Sequence, residues 1–262
     1  MRRLRTSAAA VLLLALALLV PPAAHPQPRA AAVPVVTPTV LAQMPHDPGA
    51  YTEGLEFDGT TLYEAAGQWG TSELRDIDPD TGAVRRAAPL PGKYFGEGIT
   101  VVGDRIWQLT YQDGVAVEWD KATLRPVREV PLRGDGWGLC RDGGRLISSD
   151  GTDRLHFRDI GDLSQTGTVT VTRDGAPVVG LNELECVNGR VWANVWPTDT
   201  IVRIDPATGL VDVVVDASGL WGSAPRTSAQ VLNGIAHIDG DEFLLTGKYW
   251  PTSYRVRMGP AQ

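Results

Sequence analysis

Two cysteines and four histidines are all that this 262-residue chain offers to zinc or other soft-metal chemistry. His25, His46, His156 and His237 show no paired ligand spacing, and the cysteines are too far apart for a zinc cluster. No HExxH pair, Walker-type loop or Gly-rich dinucleotide fingerprint appears. No apolar run reaches the ~20 residues of a spanning helix. Nor is there a sustained 3.6-residue apolar period, so few helices are expected. Positive charge is scarce as well: 24 Lys and Arg face 31 Asp and Glu, a formal charge of −7 that excludes a basic nucleic-acid binder. Disorder is excluded for the bulk of the chain because 43% of its residues are hydrophobic, enough to bury a core.

The first residues read as an address. Arg2, Arg3 and Arg5 precede a short apolar stretch over residues 8–20, then Pro21, Pro22 and a run of alanines. This is the pattern of a secretory signal peptide, with cleavage expected near Ala24 or Ala32, although an uncleaved anchor has the same pattern. Residues 1–32 are therefore assigned to the leader and its Pro/Ala-rich start. Without them 20 basic and 31 acidic residues remain, a formal charge of −11. A Pro/Ala-rich linker over residues 26–38 gives no reason to pack. Residues 33–44 are expected to be linker and closing strand, and residues 45–258 the catalytic domain.

What the chain has in abundance is glycine, 29 residues, arranged in repeats. Five segments share an aliphatic strand, a Gly/Asp turn and a second strand. They begin at Glu53-Gly-Leu, Glu97-Gly-Ile, Trp137-Gly-Leu, Glu183-Leu-Glu and Asn233-Gly-Ile. Aligning Leu55, Ile99, Leu139, Glu185 and Ile235 gives intervals of 44, 40, 46 and 50 residues, the period of propeller blades. Each segment is followed by a second hairpin signal, as in Asp78-Pro-Asp-Thr-Gly82 and Asp205-Pro-Ala-Thr-Gly209. The last copy stops short near Val256, and residues 35–42 are placed to supply its missing outer strand. The fold expected is all-β, a five-bladed β-propeller closed by an N-terminal strand. Asp76, Asp78 and Asp80 have the spacing of a calcium loop, but Ala87 stands at its twelfth position, so a tight turn is expected. The alignment puts Cys140 and Cys186 at one position of neighbouring first strands. Export permits a bridge between them, and two free thiols packed between blades are the alternative.

Residues preceding the repeated Gly-Leu or Gly-Ile should line one end of the central channel. Acids, amides and an aromatic converging there make a small-ligand site. Nine segments in order carry a family resemblance. They are Pro45-His-Asp-Pro-Gly-Ala-Tyr-Thr-Glu-Gly-Leu55, Phe95-Gly-Glu-Gly-Ile-Thr100, Gln108-Leu-Thr-Tyr111, Gly136-Trp-Gly-Leu139, Ser149-Asp-Gly-Thr152, Leu181-Asn-Glu-Leu-Glu185, Ala193-Asn-Val-Trp196, Leu232-Asn-Gly-Ile235 and Thr246-Gly-Lys-Tyr-Trp-Pro251. Over about residues 40–257 the chain resembles the glutamine cyclotransferases of plant type, five-bladed propellers that turn N-terminal glutamine into pyroglutamate. The resemblance implies Glu97 as catalytic acid and base. It implies a substrate pocket of Tyr51, Glu53, Phe95, Tyr111, Trp137, Asn182, Trp196 and Lys248. Tyr51 and Tyr111 stand where Phe and Trp are usual in plant members, and Glu53 where Gln is often found.

The implied chemistry suits these residue types. One carboxyl can take a proton from the attacking α-amine and give one to the departing ammonia, while Asn182 or Lys248 steadies the oxyanion. No nucleophilic Ser or Cys, metal or other cofactor is required. The expected partners are peptides or proteins with N-terminal Gln; no nucleic acid and no stable membrane partner is expected, and the chain should act as an exported monomer. Structural readings compete at single positions: Trp137 and Trp196 as blade-interface filler, Lys248 as a surface lysine, Asn182 as a cap. Glu183 and Glu185 read as structural partners. Two other classes fit the fold, a peptide-binding propeller without turnover and a metal-dependent propeller lactonase.

Overall fold

A computed structural model describes residues 32–259, so the leader expected over residues 1–32 lies outside the described residues but for Ala32. Among these residues there is no helix; strands and turns make up the whole architecture. Five four-stranded antiparallel units follow one another along the chain. Blade I comprises Thr52–Asp58, Thr61–Ala66, Glu73–Ile77 and Val84–Pro89. Blade II comprises Gly96–Val102, Arg105–Thr110, Val115–Asp120 and Arg125–Pro131. Blade III comprises Leu139–Asp142, Arg145–Ser148, Arg154–Asp159 and Gln165–Thr170. Blade IV comprises Leu181–Val187, Arg190–Val195, Thr200–Ile204 and Val211–Asp216. Blade V takes Leu232–Asp239, Glu242–Gly247 and Thr252–Arg257 from the end of the chain and Thr39–Pro45 from its start. The first strands of successive blades are neighbours, and blade V returns to blade I, so the ring is closed.

The closing strand is the expected one, displaced by a few residues. Val35 and Val36, expected to begin that strand, and Val33 and Pro34, expected to be linker, lie instead against blade IV. Val35 and Val36 pair in parallel with Val214 and Val215, and the Val33 N–H donates to Asp174 Oδ1 at 3.2 Å. Two valines beside an open edge strand supply the β-propensity that the Pro/Ala composition conceals.

The core is divided among the five blade interfaces. Leu74, Ile99 and Trp119 join blades I and II; Trp107, Leu139 and Leu146 join II and III. Leu155, Leu184 and Val202 join III and IV, and Trp192, Ile235 and Phe243 join IV and V. Leu55, Leu62 and Leu244 fill the V–I interface. At that closing junction His46 lies between two acceptors, with Nδ1 2.6 Å from Trp250 O and Nε2 2.9 Å from Glu64 Oε1. An acceptor at each ring nitrogen favours the imidazolium, and the pKa of this buried ring is raised above 6.5, burial opposing but Glu64 prevailing.

Glycine in the inner strands is dictated by backbone contact. A Cβ on Gly98 would sit 2.5 Å from Trp137 O, and one on Gly138 only 2.1 Å from Asn182 O. Blade IV departs from the pattern, and here the repeat alignment needs correction. Leu184 pairs with Ala193 as Ile99 pairs with Gln108, so Leu184 rather than Glu185 is the counterpart of Leu55. Glu183 then occupies the glycine position, and Asn182 matches Glu53 and Glu97. Aligning Glu185 with Leu139 is therefore a one-residue slip, which exchanges the two faces of a strand, and Cys140 and Cys186 do not share a position. The cysteines are bridged all the same, with Cα atoms 5.4 Å apart. The Asp76–Asp80 segment is a tight turn as expected: Asp78 Oδ1 accepts from the N–H groups of Asp80 and Thr81, each at 3.0 Å.

Candidate active site

Two repeated features of the blades build a pocket at one end of the axis. The first is the inner strand, where alternate residues share a face: Tyr51 with Glu53, and Phe95 with Glu97. The second is a bond that ends the second strand of four blades. Gly67 N–H donates to Tyr51 O (2.8 Å), Tyr111 to Phe95 (3.0 Å), Trp196 to Gly180 (2.8 Å) and Lys248 to Val231 (2.9 Å). This bond sets residues 111, 196 and 248 beside the inner-strand residues. In blade I the same position is glycine because an added Cβ would lie 2.6 Å from the Phe95 ring.

Together these features enclose a cavity of about 390 Å³ lined by all nine expected residues: Tyr51, Glu53, Phe95, Glu97, Tyr111, Trp137, Asn182, Trp196 and Lys248. Their aromatic rings form an unbroken arc. Centroid distances are 6.1 Å from Tyr51 to Phe95, 6.0 Å from Phe95 to Tyr111, 6.4 Å from Tyr111 to Trp137 and 5.8 Å from Trp137 to Trp196. Trp137 lies against Gly151, where a Cβ would come within 2.6 Å of the indole. Trp196 is half-exposed at the mouth rather than buried between blades.

The polar floor is a linked set. Lys248 Nζ donates to Glu53 Oε1 at 2.8 Å, and Asn233 Nδ2 donates to Glu53 Oε2 at 3.1 Å. Glu97 is the neighbouring carboxyl, close enough for each to shift the other's pKa. Burial pushes the Glu97 carboxyl well above the usual range, and the Glu53 charge pushes it further, against the smaller pull of Lys248. Lys248 stays charged: burial opposes its ammonium, but Glu53 and Glu97 outweigh burial and raise its pKa. Burial raises Glu53 too, opposed by Lys248. The floor is thus a Glu53–Lys248 ion pair beside Glu97, whose proton is held to higher pH than that of a free carboxyl because two adjacent carboxyls resist double ionisation. Asn233 belongs to this floor and was not among the expected site residues, although its place in the fifth repeat signalled it.

Three buried polar atoms of the pocket and its floor have no protein partner, Trp137 Nε1, Asn182 Oδ1 and Asn233 Oδ1. Such groups are rare and need an explanation. Lys248 spends one of its three N–H donors on Glu53. Glu183 and Glu185 stand deeper along the axis. Their carboxylates accept from Ile235 N–H at 2.8 Å and His237 N–H at 3.3 Å. Both act as structural partners, as expected. Gln68 and Trp69, on the turn after the second strand of blade I, also line the cavity and were missed. The residues that follow this strand in the other repeats carry the signal for them.

Comparisons with known proteins bear on this site. Residues 11–258 match the family model described as glutamine cyclotransferase. The chain is 39% identical over 229 residues to the glutaminyl-peptide cyclotransferase of Arabidopsis thaliana, covering 85% of this chain and 71% of that protein. The crystal structure of Myxococcus xanthus glutaminyl cyclase is similar with a TM-score of 0.80 and 34% identity, over 87% of this chain and 98% of that one.

Proposed function

Because the chain belongs to the glutamine cyclotransferase family, we propose that its axial pocket receives the N-terminal glutamine of a peptide and that Glu97 carries the protons of ring closure. The observation that supports this most strongly is Glu97 itself, buried under an arc of aromatic rings with its pKa raised by burial and by the neighbouring Glu53 charge. A general acid/base works best when its pKa lies near the operating pH, and burial moves a carboxyl in that direction.

In the proposed step the α-amine nitrogen attacks the side-chain amide carbon, forming the five-membered ring. Glu97 takes a proton from that nitrogen and delivers it to the amide nitrogen, whose bond to carbon breaks as ammonia leaves. Attack is intramolecular, so the aromatic arc contributes mainly by holding the folded conformer and excluding water. The tetrahedral oxygen gathers negative charge, and Trp137 Nε1–H is a donor without a partner at the pocket. Asn182, whose amide oxygen and nitrogen are alike in shape, offers its NH₂ group to the same oxygen. Glu53 holds Lys248 and Asn233 in place and sets the protonation of Glu97.

The Cys140–Cys186 bridge supports a destination outside the reducing cytosol, as the leader-like N-terminus also does. The lactonase reading calls for an axial carboxylate/Asn cage, whereas Glu183 and Glu185 are turned to backbone N–H groups. The direct test is ammonia release from a Gln-initiated dipeptide, coupled to a spectrophotometric readout. One ammonia per pyroglutamyl product is expected, and none from the Nα-acetylated dipeptide, whose nitrogen cannot attack. Stoichiometric binding without ammonia would favour the peptide-binding propeller instead.

A further inference from the structure

The pocket floor and its mouth differ in chemistry. Glu53, Glu97, Asn182 and Lys248 are all buried, whereas Trp69 is 59% exposed. Trp69 is nevertheless fixed. Its ring packs on Phe95 at 4.9 Å, edge-on, and on Tyr111 at 6.3 Å, so it forms an outer course above the aromatic arc. Its loop is pinned on both sides. Ser72 Oγ accepts from Gln68 N–H at 2.9 Å and donates to Gln68 O at 2.7 Å. The same oxygen accepts from Gly96 N–H of blade II at 2.9 Å. Gly70 has a φ of 83°, a conformation that glycine adopts without strain and that turns the loop.

A large indole held rigid at the mouth of a pocket, with most of its surface open, is an apolar face that a peptide leaving the pocket can cover. The cavity of about 390 Å³ is near the low end for ligand pockets and suits one glutamine residue. A peptide whose first residue reaches Glu97 must leave through the mouth, and its second residue emerges where Trp69 and Trp196 stand. We propose that Trp69 is a specificity-determining shelf for the side chain of the second residue, favouring aromatic and large apolar side chains over small ones. This rests on the function proposed above and deepens it. The indole offers a flat apolar face and little conformational freedom to lose, which is the chemistry that selects another ring.

The experiment compares kcat/KM for Gln-Phe-amide and Gln-Gly-amide in the full-length wild-type protein, Trp69→Ala and Trp69→Phe. The wild type is expected to favour the Phe substrate by roughly three- to tenfold, the range of one aromatic pair. Trp69→Ala should bring the ratio close to one, chiefly through KM, and Trp69→Phe should keep most of it. A wild-type ratio near one, or a loss in Trp69→Ala shared equally by both substrates, overturns the shelf while leaving the cyclase reading standing. Failure of the wild type to release ammonia from either dipeptide overturns both.

Discussion

The bridge between Cys140 and Cys186 ties the inner strand of blade III to that of blade IV and closes a loop of 46 residues. Cross-linking removes conformations from the unfolded chain, and the entropy lost grows with the logarithm of loop length. For 46 residues the loop-entropy relation gives about 4 kcal/mol at 25 °C, the upper end of the usual range. Reduction of the wild type and the Cys140→Ala/Cys186→Ala double variant should both lower stability by about 2–4 kcal/mol. For a chain of this size that corresponds to a fall in Tm of roughly 4–16 °C. Urea titrations at fixed pH, followed by tryptophan fluorescence, measure the change. The reduced wild type retains both sulfur atoms, so it separates the cross-link from the packing of Cys140 among Ile147, Leu155 and Leu184. If reduction shifts stability by less than about 1 kcal/mol while the double variant is much weaker, packing accounts for the effect and the loop-entropy argument fails.

Two further outcomes follow from the charged clusters. Glu53→Gln removes the charge through which Glu53 raises Glu97, so the acidic limb of the kcat/KM profile should move to lower pH; an unmoved limb means that Glu53 does not set the Glu97 proton. The His46 pKa is raised above 6.5, burial opposing the charge but the hydrogen bond and charge of Glu64 prevailing, while the Glu64 pKa is lowered below 4.5, burial opposing and His46 prevailing. The His46 contribution is therefore complete below pH 6.5 and fades as pH rises through its folded value, whereas the Glu64 contribution is present above pH 4.5 and fades as pH falls. The latch is strongest between those limits, so urea midpoints should fall from pH 6 to pH 8 more in the wild type than in His46→Gln. Parallel falls in the two proteins would remove His46 from the pH dependence.

Much of this molecule was legible because a propeller repeats its grammar. Five Gly/Asp turns at blade spacing fixed the fold class, and the truncated fifth copy pointed to closure by the N-terminal strand. Val35 and Val36 were assigned to the wrong blade because a valine pair in a Pro/Ala-rich stretch does not say which open strand edge it will find. The slip in blade IV has a similar origin. Leu-Glu-Cys resembles Gly-Leu-Cys as a string, but only the hydrogen-bond ladder shows that Glu183 occupies the place where the four other blades carry glycine. All nine candidate residues converge because their identities came from family motifs and their positions from the repeat. Trp69 escaped because its loop follows a glycine, Gly67, where the neighbouring blades present a side chain. The linkage of Glu53, Lys248 and Asn233 escaped because it joins residues about 180 and 195 positions apart.

The claim at the centre of this account is that Glu97 moves the protons of ring closure. Glu97→Gln retains size and hydrogen-bonding capacity and removes the titrating group. Turnover of a Gln-initiated dipeptide should fall by roughly 10²–10⁴, as for loss of one acid/base group. Binding of the same peptide, measured by quenching of the pocket tryptophans, should change much less. Near-normal turnover in Glu97→Gln would contradict the account.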